Sequence, residues 1–430
     1  MAPQAPPPLT PLGIVVLVLC VLTVLVLSVL HVCLTLTGKL GWHHPVPQLA
    51  ALAVPVGLVS LPVELVGGIL AAVAWPHALS TVALVVALLL ALSLALLFRP
   101  DFSRPPRTSS TTHSVSSSSP RPARSSSLSP SSSPFRQLSH SESVVVMSLN
   151  CRYGRAQARE IVTAVSQHNV SALCLVEATD QLLAALDDAG IASFLPHRVV
   201  GAKNGKENGG FNVVFCAVPP LHAEPSSVCI PAASVPVLTF RALGKRIAVA
   251  AAHPYSPQRG AKEWGLGIAQ LSALPSAVFA RHADALVIAG DFNSNVSHPT
   301  FRWLLSGGLL PGNYLDGEPE VSFIAARAHS RSRRQASSPV PHSPQLIDSS
   351  FEADKRGVKH SFLSRRFFRS PATFPANWPV LPAMMELDHV LHTDALKCTE
   401  LRSLRIPGSD HKALLARLEV VKPADEETAD

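Results

Sequence analysis

Several polar residues stand directly beside short apolar runs in the C-terminal two thirds of the chain. Each run has the composition of a buried β-strand, so its polar neighbour lies at a strand end, where a site can be assembled. One acid at such a place is more often a turn or a cap than a ligand. Six such places in one region are harder to explain as turns. They are Asn150, Glu177, His253, the pair Asp291 and Asn293, Asp388, and the pair Asp410 and His411.

These residue types match the needs of phosphate-ester hydrolysis. That reaction requires a polarising cation, an activated water and stabilisation of a departing oxygen. Carboxylate and amide oxygens suit a hard cation such as Mg²⁺, and a carboxylate behind an imidazole fixes its tautomer and favours its charged form. The sequence contains neither a GxSxG nucleophile motif nor a GxxxxGK[ST] phosphate loop. The pattern therefore predicts metal-assisted hydrolysis.

The elements that must position these residues alternate between strand and helix patterns. The run 155–168 has its apolar residues on one helical face, and strands alternating with helices indicate an α/β class. The pattern alone does not separate a parallel sheet from a layered sandwich. The stretch 205–210 before FNVVF is predicted to be a hairpin turn, with a substrate-facing loop as the alternative. The predicted strands are 144–149, 173–176, 247–251, 286–289, 390–391 and 413–420.

In order and spacing, these motifs resemble the endonuclease/exonuclease/phosphatase, or deoxyribonuclease-I-like, superfamily. The resemblance covers residues 144–421 and implies a two-sheet α/β sandwich with the site at one edge. It is closest to membrane-tethered members, in which the segment between GDFN and LDHV is usually compact. The matching motifs are LN ending at Asn150, the acid Glu177, HP at 253–254, GDFN at 290–293, LDHV at 387–390 and GSDH at 408–411.

The resemblance implies a metal site at three of these positions. Glu177 would be the principal Mg²⁺ ligand, with Asn150 beside it. Asp410 would be a second metal ligand or an orienting carboxylate. Mn²⁺ is the alternative cation.

The same resemblance assigns the remaining residues to the chemistry. His411 would contact the scissile phosphate or act as a general acid or base, oriented by Asp388. Asp291 would hold or deprotonate the attacking water. Asn293 and His253 would contact the phosphoryl oxygens.

The N-terminal quarter has a different composition. Residues 1–12 form a short tail, and the runs 13–36, 49–74 and 78–98 are almost free of charged residues. A bilayer requires about 20 apolar residues of helix. These runs therefore predict three transmembrane α-helices and a multi-pass membrane protein. A secretory signal peptide is disfavoured because no charged segment precedes the first run.

The charges beside these runs predict the orientation of the catalytic domain. Lys39 follows the first run, and Arg99, Arg104 and Arg107 follow the third. The positive-inside rule then places the catalytic domain in the cytosol. A glycosylation sequon at Asn295 would put a glycan beside the site and favours the same side. Relatives with an outward-facing domain argue for the opposite one, so the sequence leaves the orientation open.

Two tracts have the composition of disordered chain, a Ser/Pro/Arg linker at 99–143 and a basic insertion at about 325–370. Residues 422–430 form an acidic tail. The insertion interleaves phenylalanine with arginine, so it is either a solvated loop or a segment that touches lipid headgroups. The seven cysteines form no CxxC pair, which disfavours structural zinc and predicts buried thiols.

The substrate prediction depends on the membrane prediction. The net charge of +7 favours an anionic partner. A membrane tether would favour a lipid-linked phosphate, because it raises the effective concentration of such a substrate. A nuclease is the second possibility, although most of the excess arginine lies in the disordered tracts. A catalytically inactive membrane adaptor is the third.

Overall fold

The computed structural model describes six continuous stretches of the chain. They are residues 45–51, 143–203, 208–307, 345–355, 371–377 and 383–421, together with scattered residues between positions 11 and 89. Nearly all of the linker and all of the acidic tail lie outside the described residues.

The prediction of three transmembrane helices is wrong. In the part of the chain that the structure describes, no helix is both long enough and apolar enough to cross a membrane. Hydropathy measures the composition of a run, and a run becomes a span only where a continuous helix of about 20 residues covers it. The continuous helix in this region, α1 (Val46–Ala51), has six residues. Most residues of the runs 13–36, 49–74 and 78–98 lie outside the described ones. The multi-pass localisation and the cytosolic orientation are withdrawn with the spans.

Two six-stranded mixed sheets form the body of the domain, so the sandwich part of the fold prediction is confirmed. The first sheet has the order β11-β12-β1-β2-β4-β3, and the second has the order β5-β6-β7-β8-β10-β9. The strands are β1 (Val144–Asn150), β2 (Ala172–Ala178), β3 (His197–Val200), β4 (Phe211–Cys216), β5 (His222–Glu224), β6 (Val237–Ala242), β7 (Lys245–Ala252), β8 (Ala285–Asp291), β9 (Ile347–Asp348), β10 (Asp388–His392), β11 (Leu396–Arg405) and β12 (Lys412–Val420).

Helices cover the outer face of each sheet. The first sheet carries α2 (Ala158–Gln167) and α3 (Asp180–Asp188), and the second carries α4 (Ala261–Gln270), α5 (Leu274–Phe279) and α6 (Pro299–Leu305). A further helix, α7 (Ser349–Lys355), packs beside β10 and β11. The result is four layers with three apolar clusters between them.

The alternation of side chains along β1 shows why the layers form. All seven residues of β1 are buried. Val144 and Val146 belong to the cluster between the sheets, whereas Val145, Met147 and Leu149 pack with the helices. Successive side chains of a strand point to opposite faces, so a continuous apolar run fits a strand that is covered on both sides.

Strand direction brings the chemically important residues to one edge. The pairs β1–β2 and β7–β8 are parallel, so their carboxyl ends share an edge within each sheet. The strands β12 and β10 run antiparallel to β1 and β8, so they begin at that same edge. Asp388, the first residue of β10, lies directly opposite Asp291, the last residue of β8.

Part of the tract predicted as a disordered insertion has regular structure. Residues 345–355 form β9 and α7. Asp348 is buried against β10 through an ion pair with His389, and Phe351 packs against the core of the second sheet. These few buried contacts order a segment whose neighbouring composition is polar. The rest of the tract, 325–344 and 356–370, lies outside the described residues.

Candidate active site

The centre of the site is a buried histidine between two carboxylates. His411 Nδ1 donates to Asp388 Oδ2 at 2.8 Å, and its Nε2 lies 3.7 Å from Asp291 Oδ2. The His411 ring also packs against Phe374, with 4.8 Å between the ring centroids. These contacts fix both the position and the tilt of the imidazole.

A second group joins an amide to two carboxylates. Asn150 Nδ2 donates to Glu177 Oε1 at 3.2 Å and to Asp291 Oδ2 at 3.1 Å. Its Oδ1 accepts from the backbone N–H of Arg152 at 2.8 Å, so the amide oxygen faces away from both carboxylates. Glu177 Oε2 accepts from the backbone N–H of Tyr153 at 2.9 Å. Asn150 thus acts here as a clamp on the carboxylates.

His253 closes this buried cluster from the second sheet. Its Nε2 lies 3.8 Å from Glu177 Oε1 and 3.7 Å from Asp291 Oδ2. It also lies 3.2 Å from the side-chain nitrogen of Asn208, which in turn donates to the carbonyl of Pro254 at 3.1 Å.

Burial and charge set the protonation of these groups. Burial alone would lower the pKa of His411, but Asp388 and Asp291 outweigh it and raise that pKa to about 10. Burial lowers the pKa of His253 to about 4, so this imidazole is neutral. Burial also raises the pKa values of Glu177 and Asp291, since their hydrogen bonds and the nearby histidines only partly compensate.

Two of the sequence-predicted residues lie at the margin of the cluster. Asp410 pairs with Arg152, with 3.5 Å between Oδ2 and Nε, and its side chain is about a quarter exposed. Asn293 donates to the carbonyl of Pro254 at 3.2 Å, and its backbone N–H donates to Asp291 Oδ1 at 2.8 Å. Asn293 therefore holds the loop that carries Asp291.

The loop before β12 connects His411 to β1. Ser409 Oγ donates to the carbonyl of Asn150 at 2.7 Å and accepts from the backbone N–H of His411 at 2.9 Å. Gly408 has φ +89°, and a Cβ there would lie 2.1 Å from the carbonyl oxygen of Arg155. Only glycine allows this close approach, so the sequence GSDH sets the position of the histidine.

The cluster has the chemistry of a divalent-cation site. Asp291, Asp388 and His411 each offer a ligand atom, and these atoms lie within 4.8 Å of one another. Asp388 Oδ1 is buried and has no hydrogen-bond partner among the described residues. Glu177 adds a third carboxylate, 3.2 Å from the same Asn150 amide that contacts Asp291. A cation would offset this excess of buried negative charge, so the residues fit one.

Some residues around the site were not found by sequence reasoning. They carry no motif, because their roles depend on loops that fold back onto the strand ends. The stretch 205–210 was predicted to be a hairpin turn, with a substrate-facing loop as the alternative. The additional residues are Arg152, Tyr153, Asn208, Arg259 and Phe374.

A two-sheet sandwich with a buried His–Asp pair and clustered carboxylates at one edge defines a class of phosphate-ester hydrolases. The chain belongs to the endonuclease/exonuclease/phosphatase family, whose sequence model matches residues 147–411, more than half of its length. Members of this family are hydrolases, among them phosphatases and nucleases, and they depend on divalent metals. No protein of curated function matches the chain.

Solved structures similar to this chain come from several kinds of protein. A humanised D. rerio TDP2 shares 13% identity over 65% of this chain and 100% of its own, with a TM-score of 0.43. A Bacteroides thetaiotaomicron mannosyl-6-phosphatase shares 14% sequence identity, over 64% of this chain and 99% of its own, with a TM-score of 0.42. ANGEL2, a 2′,3′-cyclic phosphatase, shares 16% sequence identity, over 64% of this chain and 95% of its own, with a TM-score of 0.42.

Proposed function

We propose that this protein hydrolyses phosphate esters with the help of a divalent cation, Mg²⁺ or Mn²⁺. The observation that carries the proposal is His411, held by Asp388 at 2.8 Å and lying 3.7 Å from Asp291. An acid and a base therefore stand side by side in a buried polar cluster.

The roles follow from the protonation of each group. The raised pKa of His411 keeps it charged at neutral pH, so its Nε2–H is the proton for the departing ester oxygen. The raised pKa of Asp291 makes this carboxylate a better base, and it accepts the proton of the attacking water. Water thus adds to phosphorus as the ester oxygen leaves. Asp388 orients His411 and supports its charge.

Glu177 would hold the cation, and Asn150 would keep the carboxylates of Glu177 and Asp291 in place. When bound, the cation supplies charge stabilisation for the phosphoryl oxygens. His253 and Asn293 would complete the contacts to those oxygens. Asp410, paired with Arg152 at the margin, would act as an orienting carboxylate rather than as a central ligand.

The prediction of a lipid-linked phosphate as substrate depended on a membrane tether. No described helix can cross a membrane, so this prediction is no longer supported. What the described residues support is a phosphate-bearing substrate. The nuclease alternative is retained, since Arg152 and Arg259 place positive charge beside the site. The catalytically inactive adaptor is the outcome if no substrate is turned over.

The test is a screen of the purified full-length chain with Mg²⁺ or Mn²⁺. The panel contains nucleotides, sugar phosphates, lipid phosphates and plasmid DNA. Cation-dependent turnover of at least one of these is expected, and Glu177→Ala and His411→Ala should each abolish it without lowering the unfolding temperature sharply. Full activity in both variants would show that the site has been wrongly placed.

A further inference from the structure

An aromatic side chain stands at the mouth of the site without being needed for the core. The Tyr153 ring belongs to a residue that is 49% exposed, yet the Tyr153 backbone N–H donates to Glu177 Oε2 at 2.9 Å. Tyr153 also has φ +55°, an uncommon conformation for a residue with a side chain. The backbone of Tyr153 therefore contacts one of the proposed cation-binding carboxylates, while its ring is half exposed.

The ring is held in place by Arg259. The guanidinium carbon lies 5.6 Å from the Tyr153 ring centroid, and one guanidinium nitrogen donates to the Tyr153 hydroxyl. The other terminal nitrogen donates to Asn208 Oδ1. Asn208 is buried and contacts His253 at 3.2 Å. We call Tyr153 and Arg259 the rim pair.

An arginine next to a tyrosine ring is also a common surface contact. Whether this pair belongs to the site therefore depends on the residues that each member contacts. Both members of the rim pair are linked to the polar cluster, Tyr153 through Glu177 and Arg259 through Asn208. A second aromatic ring, Phe374, borders the cluster on the His411 side. One aromatic ring thus packs on the proposed acid, His411, and the other is joined to a positive charge whose second nitrogen reaches the His253 side of the cluster.

We propose that the rim pair is a binding subsite for a planar ring carried by the substrate. The ring of the ester stacks on Tyr153, and Arg259 fixes Tyr153 while adding positive charge next to the phosphate. Nucleoside phosphates and aryl phosphates share this chemistry. The proposal rests on the proposed function, because the ring must belong to an ester whose phosphorus reaches Glu177 and His411.

The test compares matched ligands that differ only in the planar ring. AMP and ribose 5-phosphate form one pair, and phenyl phosphate and cyclohexyl phosphate form the other. Dissociation constants are measured by calorimetry with Mg²⁺ on the full chain carrying His411→Asn, which is designed to block turnover and keep the rim pair. We expect the ring-bearing ligand to bind about ten-fold more tightly, in line with stacking of bases on aromatic side chains.

Variants of Tyr153 decide whether this residue causes the preference. Tyr153→Ala should remove it by weakening only the ring-bearing ligand, and Tyr153→Phe should keep most of it because the ring remains. Phe194→Ala is the matched control. Phe194 is 39% exposed and lies near the start of β3, which pairs with the end of β4 at the opposite edge of the sheet.

Each outcome has one meaning. A preference in both ligand pairs supports a general ring subsite, and a preference for AMP alone supports a nucleoside subsite. Equal binding within both pairs, or equal weakening of all four ligands by Tyr153→Ala, overturns the proposal. Because binding is measured without turnover, an intact preference in a protein that hydrolyses no phosphate ester would overturn the proposed function and leave the subsite standing.

Discussion

His411 combines two properties that rarely occur together, burial and a positive charge. Its side chain is 7% exposed, and burial alone would favour the neutral imidazole. Asp388 and Asp291 reverse that preference. Of these two, Asp388 makes the hydrogen bond at 2.8 Å and therefore fixes both the charge and the orientation.

Substituting the orienting carboxylate should damage catalysis more than folding. Asp388→Asn keeps the volume of the side chain but removes its charge, so kcat should fall by about 10² to 10⁴ fold, the usual contribution of a general acid or base. The measurement is steady-state kinetics with a thermal unfolding scan beside it. Asp394→Asn, at an exposed position just after the same strand, is the control and should leave kcat unchanged. An unaltered kcat in Asp388→Asn would mean that His411 needs no partner.

The next residue of the strand, His389, forms a second buried ion pair on the other face. Its Nδ1 lies 2.7 Å from Asp348 Oδ2, and its Nε2 lies 2.8 Å from the carbonyl oxygen of Ser294. Burial alone would lower the pKa of His389, but Asp348 outweighs it and raises that pKa to about 9. Burial would raise the pKa of Asp348, but His389 lowers it overall.

This pair should make stability fall at alkaline pH. The His389 contribution is fully present below the unfolded pKa of about 6.5 and is lost as pH rises through about 9. The Asp348 contribution is lost only in acid. Asp348→Asn should therefore cost about 3 kcal/mol at pH 6 and clearly less at pH 9.5, measured by urea unfolding.

The control for this pair is an exposed one. Asp187→Asn removes the partner of Arg198 at the surface, and such pairs contribute at most about 1 kcal/mol. If the cost of Asp348→Asn were the same at both pH values, His389 would not change its charge between them in the folded protein, and the predicted loss of stability in alkali would be wrong.

At the scale of elements, the sequence was informative where strands are buried on both faces. The predicted strands 144–149, 173–176, 247–251 and 286–289 correspond to β1, β2, β7 and β8, and each stays in the core of its sheet. Their polar ends supplied the residues of the site. A short, continuous apolar run bounded by polar residues is typical of a strand that is buried on both faces, so these four strands could be predicted from the sequence.

The remaining elements depend on tertiary contacts that no local pattern contains. The edge strand β11 mixes buried with partly exposed residues and carries four charged side chains, Lys397, Glu400, Arg402 and Arg405. One of them, Glu400, lies opposite Arg417 of β12. The helix α7 lies within a polar tract, and it is held there by the packing of Phe351 and Ala353 against the core and by the ion pair of the adjacent Asp348 with His389. The same limit explains why Asn208 and Arg259 were missed.

One loop prediction can be tested at this scale. Gly209 has φ +86°, and a Cβ there would lie 2.8 Å from the carboxyl carbon of Glu177. Gly209→Ala should therefore displace Glu177 and lower kcat/KM by at least about ten-fold, since a displacement of about 1 Å can cost 10² fold.

Gly244→Ala is the matched control for that loop. Gly244 also has a positive φ, +72°, but nothing lies within 4 Å of its added Cβ. Gly244→Ala should lower the free energy of unfolding by about 1 kcal/mol through backbone strain and leave kcat/KM unchanged. Equal kinetic effects in the two variants would show that strain, and not contact with Glu177, is responsible.

At the scale of the whole molecule, the site exists only when the two sheets are packed together. Asn150, Glu177 and His411 come from the first sheet, and His253, Asp291 and Asp388 come from the second. The contacts Asn150–Asp291, His411–Asp388 and His253–Glu177 all cross between the sheets. The apolar cluster between the sheets therefore supplies the free energy that brings these like-charged carboxylates together.

The N-terminal segment also contacts this assembly. In α1, Gln48 Nε2 donates to the carbonyl of Pro257 at 2.9 Å, and the carbonyl of Pro47 lies 2.9 Å from His298 Nε2. Pro257 belongs to the loop between His253 and Arg259. The segment 45–51 thus touches the loop that carries Arg259 of the rim pair.

A cation held between the sheets should stabilise the whole fold. An ion that binds only the folded state adds RT ln(1 + [L]/Kd), about 2.7 kcal/mol at a hundred times Kd, so Mg²⁺ should raise the unfolding temperature and EDTA should reverse the rise. Glu177→Gln should abolish this rise if Glu177 holds the ion. Asp410→Asn should retain it, because Asp410 lies at the margin with Arg152. A rise that survives Glu177→Gln and disappears in Asp388→Asn would instead place the ion among Asp291, Asp388 and His411, and Glu177 would lose its role as the ligand.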